Sequence, residues 1–168
     1  DDLSLDDFEW ILGVNLWGVI NGIRAFVPLL LEQGEGHVVN TASLAGLTSP
    51  GLMGPYTVTK HSVVTMSETL YRDLTFFGST VGVSVLCPGF VRTGIAESER
   101  NRPDWAPGGT TPEEFQGVVR GLVAAGIEPS DAVTFAGEGG HHDDRHIRIA
   151  AEEAADLDAI DAREHDIE

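Results

Sequence analysis

Lysine is all but absent from this chain: nine of its 10 basic residues are arginines, and one, Lys60, is a lysine. Against 27 acidic residues this gives a net charge of -17. A composition so poor in clustered cations argues against nucleic-acid binding and against adhesion to anionic membrane surfaces. One cysteine, Cys87, excludes an internal disulfide and fits a reducing compartment, so the sequence reads as cytoplasmic. Cys87 itself reads as a small buried hydrophobe at a strand end. Long apolar runs are lacking too. Residues 26–31 and 81–86 contain Pro28 and Ser84, and on this reading neither approaches the roughly 20 residues of a membrane span. No basic, apolar, small-residue leader is read at the start. What remains, 42% apolar residues in a length of 168, suffices for one globular domain with a real core.

The negative charge is uneven. Residues 128–168 hold 13 acids and 3 arginines, more than half of the net charge in a quarter of the length. Periodicity weakens there, so this stretch reads as an acidic, weakly structured tail after a domain at residues 1–127. Residues 150–163 suit an exposed helix with only Leu157 and Ile160 as large apolar anchors.

Along residues 1–127 the apolar pattern predicts helix, strand, helix, strand. Ser4 followed by Asp7 resembles an N-cap with an acidic first turn, and apolar residues then recur at helical spacing from Phe8 to Leu30. Gly34 and Gly36 end that helix. The run His37-Val38-Val39-Asn40-Thr41 reads as a strand, and a second helix is expected over residues 56–77, stopped by Gly78. Residues 81–86 form the second strand, closed by Cys87-Pro88-Gly89. Two strands joined by a long helix imply a right-handed crossover and a parallel sheet. Residues 93–111 read as a long loop or lid, with Trp105, Pro107 and Phe115 forming a partly apolar cover. Pro112, Glu113 and Glu114 open a third helix that runs to Ala125.

The chemistry centres on Tyr56 and Lys60. Four residues apart on a helix, they share a face. A phenol with a free pKa of about 10 becomes a useful proton donor and acceptor when a nearby cation favours its ionised form. Ligands of open parallel sheets collect at the carboxyl ends of the strands, where Ser43 follows the first strand and Pro88-Gly89 the second. The connection from Leu44 to Pro55 is long enough to return the start of the second helix, with Tyr56, to that rim. A Ser-His hydrolase involving His61 is disfavoured, because no Gly-x-Ser-x-Gly elbow surrounds Ser43. His141, His142, Asp143, Asp144 and His146 invite a metal reading, but a polar tail without fixed ligand spacing favours adventitious binding.

The strings Gly13-Val14-Asn15-Leu16-Trp17-Gly18, Val39-Asn40-Thr41-Ala42-Ser43, Pro55-Tyr56-Thr57-Val58-Thr59-Lys60 and Pro88-Gly89 with Thr93 resemble the short-chain dehydrogenases/reductases over residues 3–125. The resemblance implies an α/β fold, a doubly wound, Rossmann-like parallel sheet flanked by helices. It implies hydride transfer between NAD or NADP and a small-molecule alcohol or carbonyl compound. Carried over residue by residue, it makes Tyr56 the proton-exchanging group and Ser43 the residue that orients the substrate oxygen. Lys60 would lower the pKa of Tyr56 and bind the nicotinamide ribose, and Asn15 would hold a water leading from Lys60. Pro88, Gly89, Val91 and Thr93 would line the nicotinamide end.

The glycine-rich turn with which that family begins, Thr-Gly-x-x-x-Gly-x-Gly, is not found here, nor is its Asn-Asn-Ala-Gly segment. Gly137-Glu138-Gly139-Gly140 is no replacement, since its acid would repel a pyrophosphate. The sequence is therefore expected to hold a sheet truncated at its N-terminal half, with most of the NAD(P) site absent and no measurable nicotinamide binding by itself. The alternatives are a cofactor-free relative acting as an interaction module, or an epimerase or dehydratase of the extended branch. A homo-oligomer through the helices at 5–31 and 56–77 is expected from the apolar faces such a sheet leaves open.

Overall fold

A computed structural model describes residues 4–106, 108, 113–132 and 147–148. The first helix begins where the sequence places it. Ser4 caps it by accepting a hydrogen bond from the Asp7 amide at 3.2 Å, while the Asp7 carboxylate accepts from the Ser4 amide at 2.8 Å. This reciprocal box satisfies two amides that a helix start otherwise leaves unpaired. Helix α1 (Leu5–Ile11) runs without a break into a π-helical stretch, Leu12–Trp17, and then into α2 (Gly18–Gln33). Gly34, at φ 80°, ends it in the left-handed conformation that glycine adopts without strain.

The joined helix Leu5–Gln33 is 29 residues long and apolar enough, by length and composition, to cross a membrane. That corrects the expectation drawn from uninterrupted runs, because Asn15, Asn21 and Arg24 interrupt the apolar pattern without lowering its average below that of a spanning helix. The composition equally suits a helix that packs on neighbours.

Strand β1 (His37–Thr41) pairs in parallel with β2 (Gly82–Leu86), from His37 opposite Gly82 to Thr41 opposite Leu86. The crossover between them is α3 (Gly54–Phe76), as a parallel pair requires. A third strand, β3 (Ile147–Arg148), pairs in parallel with β2 and gives the order β1-β2-β3. No periodicity beyond residue 128 announces this two-residue strand. Helix α4 (Glu113–Ala125) follows the segment after β2. Pro112, the histidine cluster at 141–146, the glycines at 137–140 and the expected helix at 150–163 lie outside the described residues.

The alternation of β2 decides where the core sits. Val81, Val83, Val85 and Cys87 are buried, and their neighbours are half-buried. Val81 and Val83 meet Val27 of α2 and Leu74 of α3, while Val85 and Cys87 meet Val63 and Val64 of α3 together with Ala42. Each fully buried aliphatic side chain of this kind stabilises by about 1.5–3 kcal/mol. Across β1, Val39 is 47% exposed although parallel sheets are ordinarily covered on both faces.

Candidate active site

The strand ends are stitched into one rim. The Ala42 amide donates to the Leu86 carbonyl at 2.8 Å, and the Leu44 amide donates to the Pro88 carbonyl at 2.9 Å. Ser43 therefore leaves β1 beside Pro88-Gly89, as the topology argument requires. A 3-10 turn, Leu44–Gly46, then packs on α3 so closely that a Cβ on Gly46 would stand 2.8 Å from the Lys60 carbonyl oxygen. Only glycine permits that approach, and it brings Ser43 to the start of α3. The sequence shows Gly46 merely as a loop glycine, with no local signal of the contact.

Pro55 stands in the first turn of α3, where its missing N–H costs nothing, and Tyr56 follows it. The Ser43 side chain accepts from the Ala45 amide at 3.2 Å and stands close enough to the Tyr56 phenol to favour its ionised form. Burial pushes the phenol above its ordinary pKa, and the neighbouring Ser43 hydroxyl acts in the opposite direction. Lys60 Nζ lies 5.5 Å from the Tyr56 ring centroid and donates to the Thr41 carbonyl at 3.1 Å. Burial holds the Lys60 ammonium below its ordinary pKa.

For Tyr56, desolvation is the larger influence and the net shift is upward. The ammonium sits over the ring and is drawn toward the Thr41 carbonyl.

Asn15 reaches the site from the π-helical stretch. Its amide donates to Thr59 Oγ1 at 3.1 Å, and that hydroxyl donates to the Tyr56 carbonyl at 2.7 Å. Thr59 is fully buried, so it ties Asn15 to the first turn of α3. Extra residues in a π turn re-aim a side chain, which is why such turns gather at functional sites. Thr59 was not singled out in the sequence, although its place three residues after Tyr56 puts it on the adjoining helix face. Cys87 is fully buried beneath the same rim. Burial pushes its thiol up in pKa, with the Ser43 backbone acting in the opposite direction, and keeps it protonated and inert.

The remaining expected residues form the outer edge. Val91 makes a parallel bridge with Ile127, and Thr93 is exposed at the N-cap of a 3-10 helix, Gly94–Asn101, without a side-chain capping bond. Trp105 is 54% exposed, and Pro107 lies outside the described residues.

A family model described as short chain dehydrogenase matches residues 1–104. The C alpha-dehydrogenase of Sphingobium sp. is 43% identical over 101 residues, 60% of this chain and 32% of that protein. A CLA biosynthesis dehydrogenase/reductase of Lactiplantibacillus plantarum is 32% identical over 103 residues, 61% of this chain and 36% of that protein. The crystal structure of a short chain dehydrogenase/reductase from Burkholderia phymatum in complex with NAD superposes with a TM-score of 0.83 at 39% identity, covering 98% of this chain and 59% of that one. The chain thus spans about a third of the length of these curated relatives.

Proposed function

The chain belongs to the short chain dehydrogenase family, and from that premise we propose that it carries the proton-transfer side of an NAD(P)-dependent oxidoreductase interconverting a secondary alcohol and a ketone or aldehyde. The observation that carries this reading is the cluster at one strand-end rim, in which Ser43 stands beside the Tyr56 phenol and Lys60 lies over its ring.

In the reducing direction a carbonyl oxygen at the rim accepts a proton from Tyr56. Burial keeps that phenol protonated at neutral pH, the form this step needs. Ser43 can donate to the same oxygen and fix its position. As the proton leaves, the neighbouring Ser43 hydroxyl and the Lys60 charge stabilise the phenolate left behind. In the oxidising direction Tyr56 must first ionise, so the raised pKa makes alcohol oxidation rise with pH and carbonyl reduction fall as pH passes through that pKa.

The donor set fits the nicotinamide end of a dinucleotide. Lys60 has three N–H donors, of which the Thr41 carbonyl takes one. Pro88, Gly89, Val91 and Thr93 follow in the segment that leaves the rim. A bound nicotinamide supplies hydride chemistry to the carbon while these residues bind, orient and move the proton. The pyrophosphate and adenine contacts are proposed to come from residues outside this chain, with NAD or NADP as the cofactor. The substrate is proposed to be a small molecule, the protein cytoplasmic, and neither nucleic acid nor membrane a partner.

Tyr56→Phe in the full-length protein tests the reading. It keeps the ring and removes the proton, so kcat for carbonyl reduction should drop by about 10²–10⁴ while nucleotide binding persists. Turnover unchanged by that substitution would remove the proposed role.

A further inference from the structure

The segment that leaves the rim after Thr93 is fixed at its base and held at its far end, by separate devices. At the base, Val91 pairs with Ile127, the Arg92 amide donates to the Ile127 carbonyl at 2.9 Å, and Arg92 Nη2 reaches Glu128 at 2.8 Å. At the far end, Arg102 turns back onto the first helix. Its Nη1 donates to Asp7 Oδ1 at 2.7 Å, its guanidinium carbon lies 4.3 Å from the Trp10 ring centroid, and Nε and Nη2 form a fork on Glu99 at 2.6 and 3.0 Å. Nη1 also donates to the Ala106 carbonyl at 3.3 Å.

Two features set this cluster apart from a surface ion pair. The Asp7 and Arg102 side chains are 3% and 14% exposed, so their attraction is little screened by solvent. The partners are also 95 residues apart in sequence, so the contact constrains the fold rather than one helix turn. Asp7 already accepts from Ser4 through Oδ2, so its capping oxygen and its latching oxygen are different atoms. Asp7 and Trp10 lie on the helix that carries Asn15, one to two turns upstream of it.

We propose that Arg102 is a positioning residue, a latch that docks residues 94–106 onto α1 through Asp7 and Trp10 and so sets how far that segment can swing from the Tyr56 rim. The latch is a property of this chain's own contacts; its kinetic consequence rests on the oxidoreductase reading given above. Bound substrate would then be retained by a segment whose outward motion must break a buried ion pair.

Two substitutions isolate it. Asp7→Asn keeps an oxygen for Ser4 and removes the charge facing Arg102, and Arg102→Met keeps the aliphatic stem over Trp10. In limited proteolysis with a glutamate-specific protease, cleavage after Glu97 and Glu99 should accelerate at least tenfold in each single variant. The double variant should be no faster than the quicker single one, since both remove the same interaction. Far-UV circular dichroism of each variant should match the unsubstituted chain, which separates release of the segment from unfolding. Unchanged cleavage in the singles, or effects that multiply in the double, would overturn the latch. In the full-length protein Arg102→Met should raise KM several-fold with kcat unchanged or increased; an equal fall in kcat with KM constant would overturn the positioning role. A full-length protein that turns over no carbonyl substrate would end the oxidoreductase reading and leave the latch to be decided by the cleavage rates.

Discussion

Leu52 holds the least comfortable backbone position near the site. Among the described residues it is the non-glycine residue with positive φ, at 62°, and its side chain is 84% exposed. A left-handed leucine costs roughly 1–2 kcal/mol, and exposure this high leaves little packing to offset it. Leu52→Gly should relieve that strain and lose roughly 0.5–1 kcal/mol to the greater freedom of the unfolded chain. The net expectation is unchanged stability or a gain of up to about 1 kcal/mol, read from urea unfolding midpoints. A clear loss would mean that the side chain packs on something its exposure does not reveal. At this scale the sequence is legible wherever partners are close along the chain. Ser4 and Asp7 announce their capping box, and Tyr56 and Lys60 their shared face. The contact between Asp7 and Arg102 carries no such mark, because nothing local to either residue encodes a partner 95 positions away.

Among the elements, the π-helical stretch and α3 depend on each other through Thr59. Its hydroxyl accepts from Asn15 and donates to the Tyr56 carbonyl, and the residue is fully buried. Thr59→Val preserves shape while leaving the Asn15 amide without that acceptor, so stability should drop by about 1–3 kcal/mol. The full-length protein should also lose part of its kcat as Asn15 loses its orientation, whereas Thr59→Ser should restore both. Denaturant titration and steady-state kinetics of the two variants check this; equal behaviour of Val and Ser would show that the hydroxyl does no work. The helices and the two long strands follow from apolar periodicity and glycine stops, to within a residue or two at their ends. The π stretch does not, because its apolar spacing differs from that of an α-helix by one residue in a single turn. Nor does β3, whose two residues are too short to show alternation.

Taken whole, the molecule carries two opposed tendencies. Val14, Trp17, Phe26 and Leu29 on the first helices, Val58 and Phe76 on α3, and Phe77 just after it, are each more than half exposed. Val39 lies bare on the sheet. Apolar area on this scale favours association with a second copy. Against it stands the net charge of -17, which makes two copies repel at low ionic strength. The Debye length shrinks from about 30 Å at 0.01 M salt to about 8 Å at 0.15 M, so the repulsion fades while the hydrophobic attraction persists. The chain should therefore be a dimer or larger species at 0.15 M salt and shift toward monomer at 0.01 M. Trp17→Glu combined with Val58→Glu should keep it monomeric at both. Light scattering at tens of micromolar decides the matter. A monomer at 0.15 M and above would show that these faces do not meet their own copies, and association that weakens with added salt would assign it to charge instead of apolar contact.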